Sequence, residues 1–121
     1  MLAQLANLNS IELYNSTLTN LEGVTLPEHV KSLTIRNTQK FSISSFVAPS
    51  LTSLNLRYTT LLDPAKLSSF PELTHLYLDH TDIRDVSALP TLNKLEYLSL
   101  DMNYNLPCAD IEALKAARPN L

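Results

Sequence analysis

Residues 73–92 read LTHLYLDHTDIRDVSALPTL, and their apolar positions follow two spacings in turn. From Leu73 to Asp79 the pattern is Leu73-x-x-Leu76-x-Leu78, with His75, Tyr77 and Asp79 in the alternating places. A period of two marks a strand with one face buried. From Ile83 onward the interval becomes three, at Ile83, Val86, Leu89 and Leu92, which predicts a tight, near-helical return path. One strand and one return make a single coil, and alone it has nothing against which to bury its leucines.

The same pattern recurs on both sides of this stretch. It begins at Leu8, Val30, Leu51, Leu73 and Leu95, at intervals of 22, 21, 22 and 22 residues. The anchors are Leu8, Ile11, Leu13; Val30, Leu33, Ile35; Leu51, Leu54, Leu56; Leu73, Leu76, Leu78; and Leu95, Leu98, Leu100, all Leu, Ile or Val. A fixed period of this length predicts stacked coils that share one continuous core. Pro49, Pro71 and Pro119 each stand two residues before a leucine, where proline stops a helix and favours extended backbone as a strand begins. Leu2, Leu5 and Leu8 superpose on Leu89, Leu92 and Leu95, so residues 1–7 read as the tail of a preceding unit or a partial N-terminal cap.

Residues 107–118 carry the one expected α-helix. Pro107 opens it, Ile111, Leu114 and Ala117 lie at helical spacing, and Asp110 and Glu112 precede Lys115 and Arg118 as the helix dipole favours. The following Pro119-Asn120-Leu121 looks like the start of another strand. The expectation is one domain over residues 1–121, either part of a longer chain or able to pair end to end with other copies.

Composition narrows the function classes. Nine Lys and Arg against twelve Asp and Glu leave a net charge of -3, too balanced for electrostatic adhesion to nucleic acid or an anionic membrane. Leucine supplies 25 of the 121 residues and glycine only one, so phosphate-cradling glycine loops are not expected. The single cysteine, Cys108, allows no intramolecular disulfide and reveals no redox compartment. No apolar run approaches the ~20 residues of a membrane span, and the first residues lack the basic start of a signal peptide. Localisation is not legible.

With five units in register across the chain, the sequence resembles the leucine-rich-repeat family, in its short 22-residue class seen in bacterial internalins and some phosphatase regulators. The resemblance implies an α/β right-handed solenoid with a concave parallel β-sheet, short 3-10 or irregular convex segments, and a protein-binding role. Two departures stand out. Where the family carries Asn, this chain has Ser16, Thr38, Thr59, Thr81 and only once Asn103. A hydroxyl offers one donor where an amide offers two, so a thinner ladder between units is expected. In the unit from Val30 the next apolar residue, Phe41, comes one place late, before Ile43 and Phe46, which predicts a distorted convex segment.

Residues between the anchors would form columns across the concave face, about 4.8 Å apart. The columns are Ser10, Ser32, Ser53, His75, Tyr97; Glu12, Thr34, Asn55, Tyr77, Ser99; Tyr14, Arg36, Arg57, Asp79, Asp101; and Asn15, Asn37, Tyr58, His80, Met102. Four of five tyrosines fall here while Phe41, Phe46 and Phe70 avoid it, and tyrosine is enriched at interfaces. The third column divides into two arginines and two aspartates. That division fits either a cross-strand Arg57–Asp79 pair or a bipolar groove that orients a partner. The expected partner-binding residues are therefore Tyr14, Arg36, Arg57, Tyr58, His75, Tyr77, Asp79, Tyr97 and Asp101, acting on a protein or peptide. The projected sheet covers only a few hundred Å², against roughly 800 Å² per partner in a standard interface, which favours a peptide or weak binding.

Catalytic, cofactor and metal sites are not expected. His75 and Asp79 stand roughly 13 Å apart along a strand, too far to share a metal or act as an unaided dyad. Ser53 beside His75 has no carboxylate to orient the histidine. An Asp79–Asp101 pair about 5 Å apart has the spacing of glycosidase carboxylates but sits among arginines on an open face. Cys108, near a helix start, is expected as a small apolar filler. His29 lies in a turn, and Asn15-Ser16-Thr17 matches a glycosylation acceptor without a secretory context. The alternative functions are a substrate-recognition domain of a larger enzyme or effector, and a structural spacer.

Overall fold

The computed structural model describes residues 9–15, 23–38, 40–43 and 46–117. The expected leading tail at residues 1–7, Leu8, the acceptor pair Ser16-Thr17, Arg118 and the terminal Pro119-Asn120-Leu121 lie outside the described residues.

Among the described residues, seven strands follow in chain order: β1 (Ser10–Tyr14), β2 (Ser32–Arg36), β3 (Lys40–Phe41), β4 (Ser53–Asn55), β5 (Thr60–Leu61), β6 (His75–Tyr77) and β7 (Tyr97–Ser99). Five of them form one parallel sheet in the order β1-β2-β4-β6-β7. The chain is thus a parallel-strand solenoid with few helices. Its register places Ile11, Leu33, Leu54, Leu76 and Leu98 on successive rungs, one per coil. Parallel pairing continues beyond the short strands, with Leu56 N–H donating to Tyr77 O at 2.9 Å and His80 N–H to Asp101 O at 3.0 Å.

Leu33, Leu54 and Leu76 are completely buried, while Ile11 and Leu98 on the outer rungs are only partly so. Inner coils are covered by a neighbour on each side, which is how a stacked array builds a core no single coil could. On the return side Phe46 packs against both Phe41, at 6.4 Å between ring centroids, and Phe70, at 5.3 Å. These rings fill the body and leave the sheet face to tyrosines.

The returns differ from coil to coil. Pro64–Ser69 and Leu89–Thr91 are 3-10 helices, each with proline in its first turn. After Thr38, where the apolar spacing slips by one, the backbone is extended: β3 pairs in parallel with β5, and Thr25 bridges Val47. Asp63 ties this segment down, accepting from Ser42 Oγ at 2.8 Å and Ile43 N–H at 2.9 Å. The segment where the spacing slips thus joins the next coil in a second, two-stranded ladder.

Helix α1 runs from Cys108 to Ala117, and of its apolar residues Leu114 alone is buried. Cys108 corrects the sequence reading, because it is exposed rather than a filler. It is the first residue of the helix, six residues before the buried Leu114.

The hydroxyl and amide positions behave as their donor counts dictate. Thr59 Oγ1 donates to Ile35 O at 3.1 Å and accepts from Thr38 N–H at 3.3 Å. Asn103 Nδ2 donates to Leu78 O at 2.7 Å and Leu100 O at 3.0 Å, while its Oδ1 accepts from the backbone N–H groups of Thr81 and Ile83, both at 3.1 Å. Thr38 is buried and its Oγ1 has no partner.

Candidate functional site

Each coil leaves the sheet through one residue with positive φ: Asn15 at 52°, Asn37 at 57°, Tyr58 at 60°, His80 at 56° and Met102 at 63°. Asn and His tolerate this left-handed region better than most residues, whereas Tyr and Met are uncommon there. The repeated bend creates a second row of side chains along one rim of the sheet. Tyr58 and His80 stack in that row at 4.8 Å, with 19° between ring planes. The Arg36 guanidinium lies over the outer side of the same row, 5.7 Å from the Tyr58 ring centroid.

The strands build the other half of the site. Register aligns Ser53, His75 and Tyr97 in one column and Asn55, Tyr77 and Ser99 in the next. His75 and Tyr97 stack at 6.1 Å, Tyr77 meets Tyr97 at 5.2 Å, and the Arg57 guanidinium sits 4.6 Å from the Tyr77 centroid. The result is a continuous band of three rings and a cation across β4, β6 and β7. Tyr97 remains 46% exposed and Tyr58 49%, so ring surface is open to a partner.

Asp79 fastens this band. Its carboxylate accepts from Arg57 Nε at 2.7 Å, from Ser99 Oγ, and from the backbone N–H of Asp101 at 2.8 Å. Burial pushes the Asp79 carboxyl up, but the bonds from Ser99, Asp101 and Arg57, together with the Arg57 charge, outweigh it and hold it below the usual carboxylate range. Arg57 is further fixed by its own N–H, which donates to Asn55 Oδ1 at 3.1 Å. The Arg57–Asp79 cross-strand pair expected from the sequence is present, and it is part of a network rather than an isolated surface ion pair.

Thr74 orients His75. Its hydroxyl lies 3.1 Å from Thr52 O and 2.9 Å from His75 Nδ1. The equivalent Thr52 hydroxyl, with no histidine beside it, donates to Lys31 O at 3.1 Å. A Thr74 hydroxyl that donates in the same way accepts from Nδ1–H, leaving Nε2 of the neutral ring as an acceptor.

Of the nine expected binding residues, Arg57, His75, Tyr77, Asp79 and Tyr97 come together in this one connected group. Arg36 and Tyr58 join the adjoining rim row. Asp101 touches the group through its backbone, and its exposed carboxylate has no ion pair among the described residues. Tyr14 stands apart on β1, where its hydroxyl donates to Glu12 Oε2 at 3.2 Å. His80 and Ser99 were not chosen from the sequence although both stood in the columns. The signal for His80 was its place beside Tyr58, in a column that also holds two asparagines.

Among the described residues, no three His, Cys, Asp or Glu side chains converge to hold a metal ion. Away from the sheet, a cleft of about 250 Å³ between α1 and the preceding return is lined by Asp85, Val86, Ser87, Pro90, Asp110 and Leu114. Asp85 there accepts from Ser87 N–H at 2.9 Å, which lowers its pKa. No protein-family model matches the chain, and no curated protein matches it either.

Proposed function

We propose that the chain is a leucine-rich-repeat solenoid of the short 22-residue class, and that it works as a non-catalytic interaction module binding a protein or peptide on the concave face of its sheet. The observation that carries this reading is the His75–Tyr97–Tyr77–Arg57 band, with Tyr97 exposed and Arg57 held by Asp79. Rigid aromatic side chains offer large contact area with little ordering entropy left to lose, and an arginine locked in place adds a directional donor. The sheet is five strands wide, a small platform that suits an extended segment better than a globular face.

The test is affinity capture followed by reconstitution with purified components. The triple variant Arg57→Ala, Tyr77→Ala, Tyr97→Ala is compared with a variant carrying Lys66→Ala and Glu112→Ala away from the sheet, both checked for wild-type circular dichroism. Loss of the partner with the sheet-face variant alone supports the reading. Retention by the sheet-face variant contradicts it.

A further inference from the structure

Four charges stand in one column across the sheet: Arg36, Arg57, Asp79 and Asp101, aligned by the Thr34–Asn55 register of β2 with β4 and by the parallel bonds of Tyr58 N–H to Asp79 O and His80 N–H to Asp101 O. The inner two neutralise each other. Asp79 also accepts from Ser99 and from the Asp101 backbone, so its oxygens are occupied. The outer two have no ion pair among the described residues. Arg36 has no carboxylate among the described residues, and its Nε is buried without an acceptor. Asp101 is exposed, and its carboxylate has no ion pair among the described residues. Between these ends lie the exposed rings of Tyr58 and His80 on the rim and the half-buried ring of Tyr77 on the strand.

Resting on the function proposed above, we infer that the occupant of this face is an extended peptide segment running across the strands, with an acidic side chain over Arg36, a basic side chain over Asp101 and an apolar or aromatic side chain midway. Arg36 and Asp101 are three strand spacings apart, about 14 Å. An extended chain advances about 3.3 Å per residue, so residues i and i+4 span roughly 13 Å and point the same way. Residue i+2 faces the sheet as well, over the rings. The motif is acid-x-apolar-x-base, in either chain direction, because side chains rather than backbone make the contacts. The closed Arg57–Asp79 pair in the middle offers no free charge, so a charged residue at i+2 gains no partner and loses hydration.

The probes are fluorescein-labelled peptides with Gly-Ser flanks and the cores Glu-Ser-Phe-Ser-Lys, Glu-Ser-Phe-Ser-Glu and Lys-Ser-Phe-Ser-Lys, titrated by fluorescence anisotropy at low salt. Wild-type protein is expected to bind the bipolar peptide about fivefold more tightly than either like-charged one, in line with exposed ion pairs gained at one end and lost at the other. Arg36→Glu makes both ends acidic and should move the preference to the two-lysine peptide. Asp101→Lys makes both ends basic and should move it to the two-glutamate peptide. Arg36→Gln and Asp101→Asn, which keep size and remove charge, should each abolish discrimination at one end, and all four variants are checked by circular dichroism. An unchanged ranking in the charge-reversed variants overturns this inference. If binding is insensitive to the end charges but lost with Tyr77→Ala and Tyr97→Ala, the motif falls and the interaction face stands. If the Tyr77 and Tyr97 variants bind these peptides as wild type does, both fall.

Discussion

Thr59 and Asn103 occupy the same place in their coils, immediately after a residue in the left-handed region, yet they hold their neighbours in different ways. Thr59 joins two coils through one hydroxyl that donates once and accepts once. Asn103 bonds Leu78 O and the N–H groups of Thr81 and Ile83 in the neighbouring bend, and the carbonyls of Leu100 and Asp101 in its own turn. One step earlier, Thr38 is buried with its hydroxyl oxygen unpartnered. The comparison teaches that the backbone path of a coil tolerates thin polar support when the core leucines are in place, and that the C-terminal half, which carries the Tyr77–Tyr97 band, is the half with the dense support. A binding face needs its side chains held in position before the partner arrives, and here the rigid half and the aromatic half coincide.

The comparison breaks most visibly at Asn103. Asn103→Leu strands the N–H groups of Thr81 and Ile83 and the carbonyls of Leu78 and Leu100, and is expected to cost about 3 kcal/mol in urea unfolding, because buried groups without partners carry their full desolvation penalty. Thr59→Val removes a single donor to Ile35 O and leaves Thr38 N–H unpaired, so about 1 kcal/mol is expected by the same measurement. A loss at Thr59 as large as that at Asn103 would show that the density of bonds is not what separates the two turns.

Acid sharpens the same contrast. The Asp79 carboxyl titrates below its ordinary value in the folded protein, so its contribution is fully present above that ordinary value and is lost as pH falls through the lowered one. Amide exchange at low pH should therefore rise first around Arg57, Ser99 and Asp101, and Asp79→Asn should flatten this pH dependence. Equal acid sensitivity in the β1–β2 region would deny Asp79 the role of fastener. The smallest effect belongs to Thr38→Val, expected to be neutral or stabilising by about 0.5 kcal/mol in a thermal melt, since it replaces an unpartnered buried hydroxyl with a methyl of similar size.

The columns of the sheet face were legible in the sequence because strand side chains alternate without exception and the 21- to 22-residue interval carries the register from coil to coil. Tyr77, Tyr97, His75 and Arg57 could thus be placed together before any coordinates. The left-handed row was only partly legible, since Asn15, Asn37 and His80 are residues that tolerate that conformation but Tyr58 and Met102 seldom adopt it. The pairing of β3 with β5 was hidden. Phe41 marked where the return departs from the others, but the partner strand lies in the next coil. Cys108 was misread because a place at a helix start does not say whether a small side chain there is covered. The free ends of the charge column emerged only when the bonds to Asp79 showed which charges were already used.

The central claim is that partners meet this protein on the tyrosine-bearing sheet face. It is tested most directly by placing a photo-crosslinking phenylalanine analogue at position 97 in one sample and at position 66 in another, and irradiating each in the cells that encode the chain. A discrete covalent adduct is expected from position 97, abolished by Arg57→Ala together with Tyr77→Ala, and none from position 66. Adducts from position 66 with none from position 97 would contradict it.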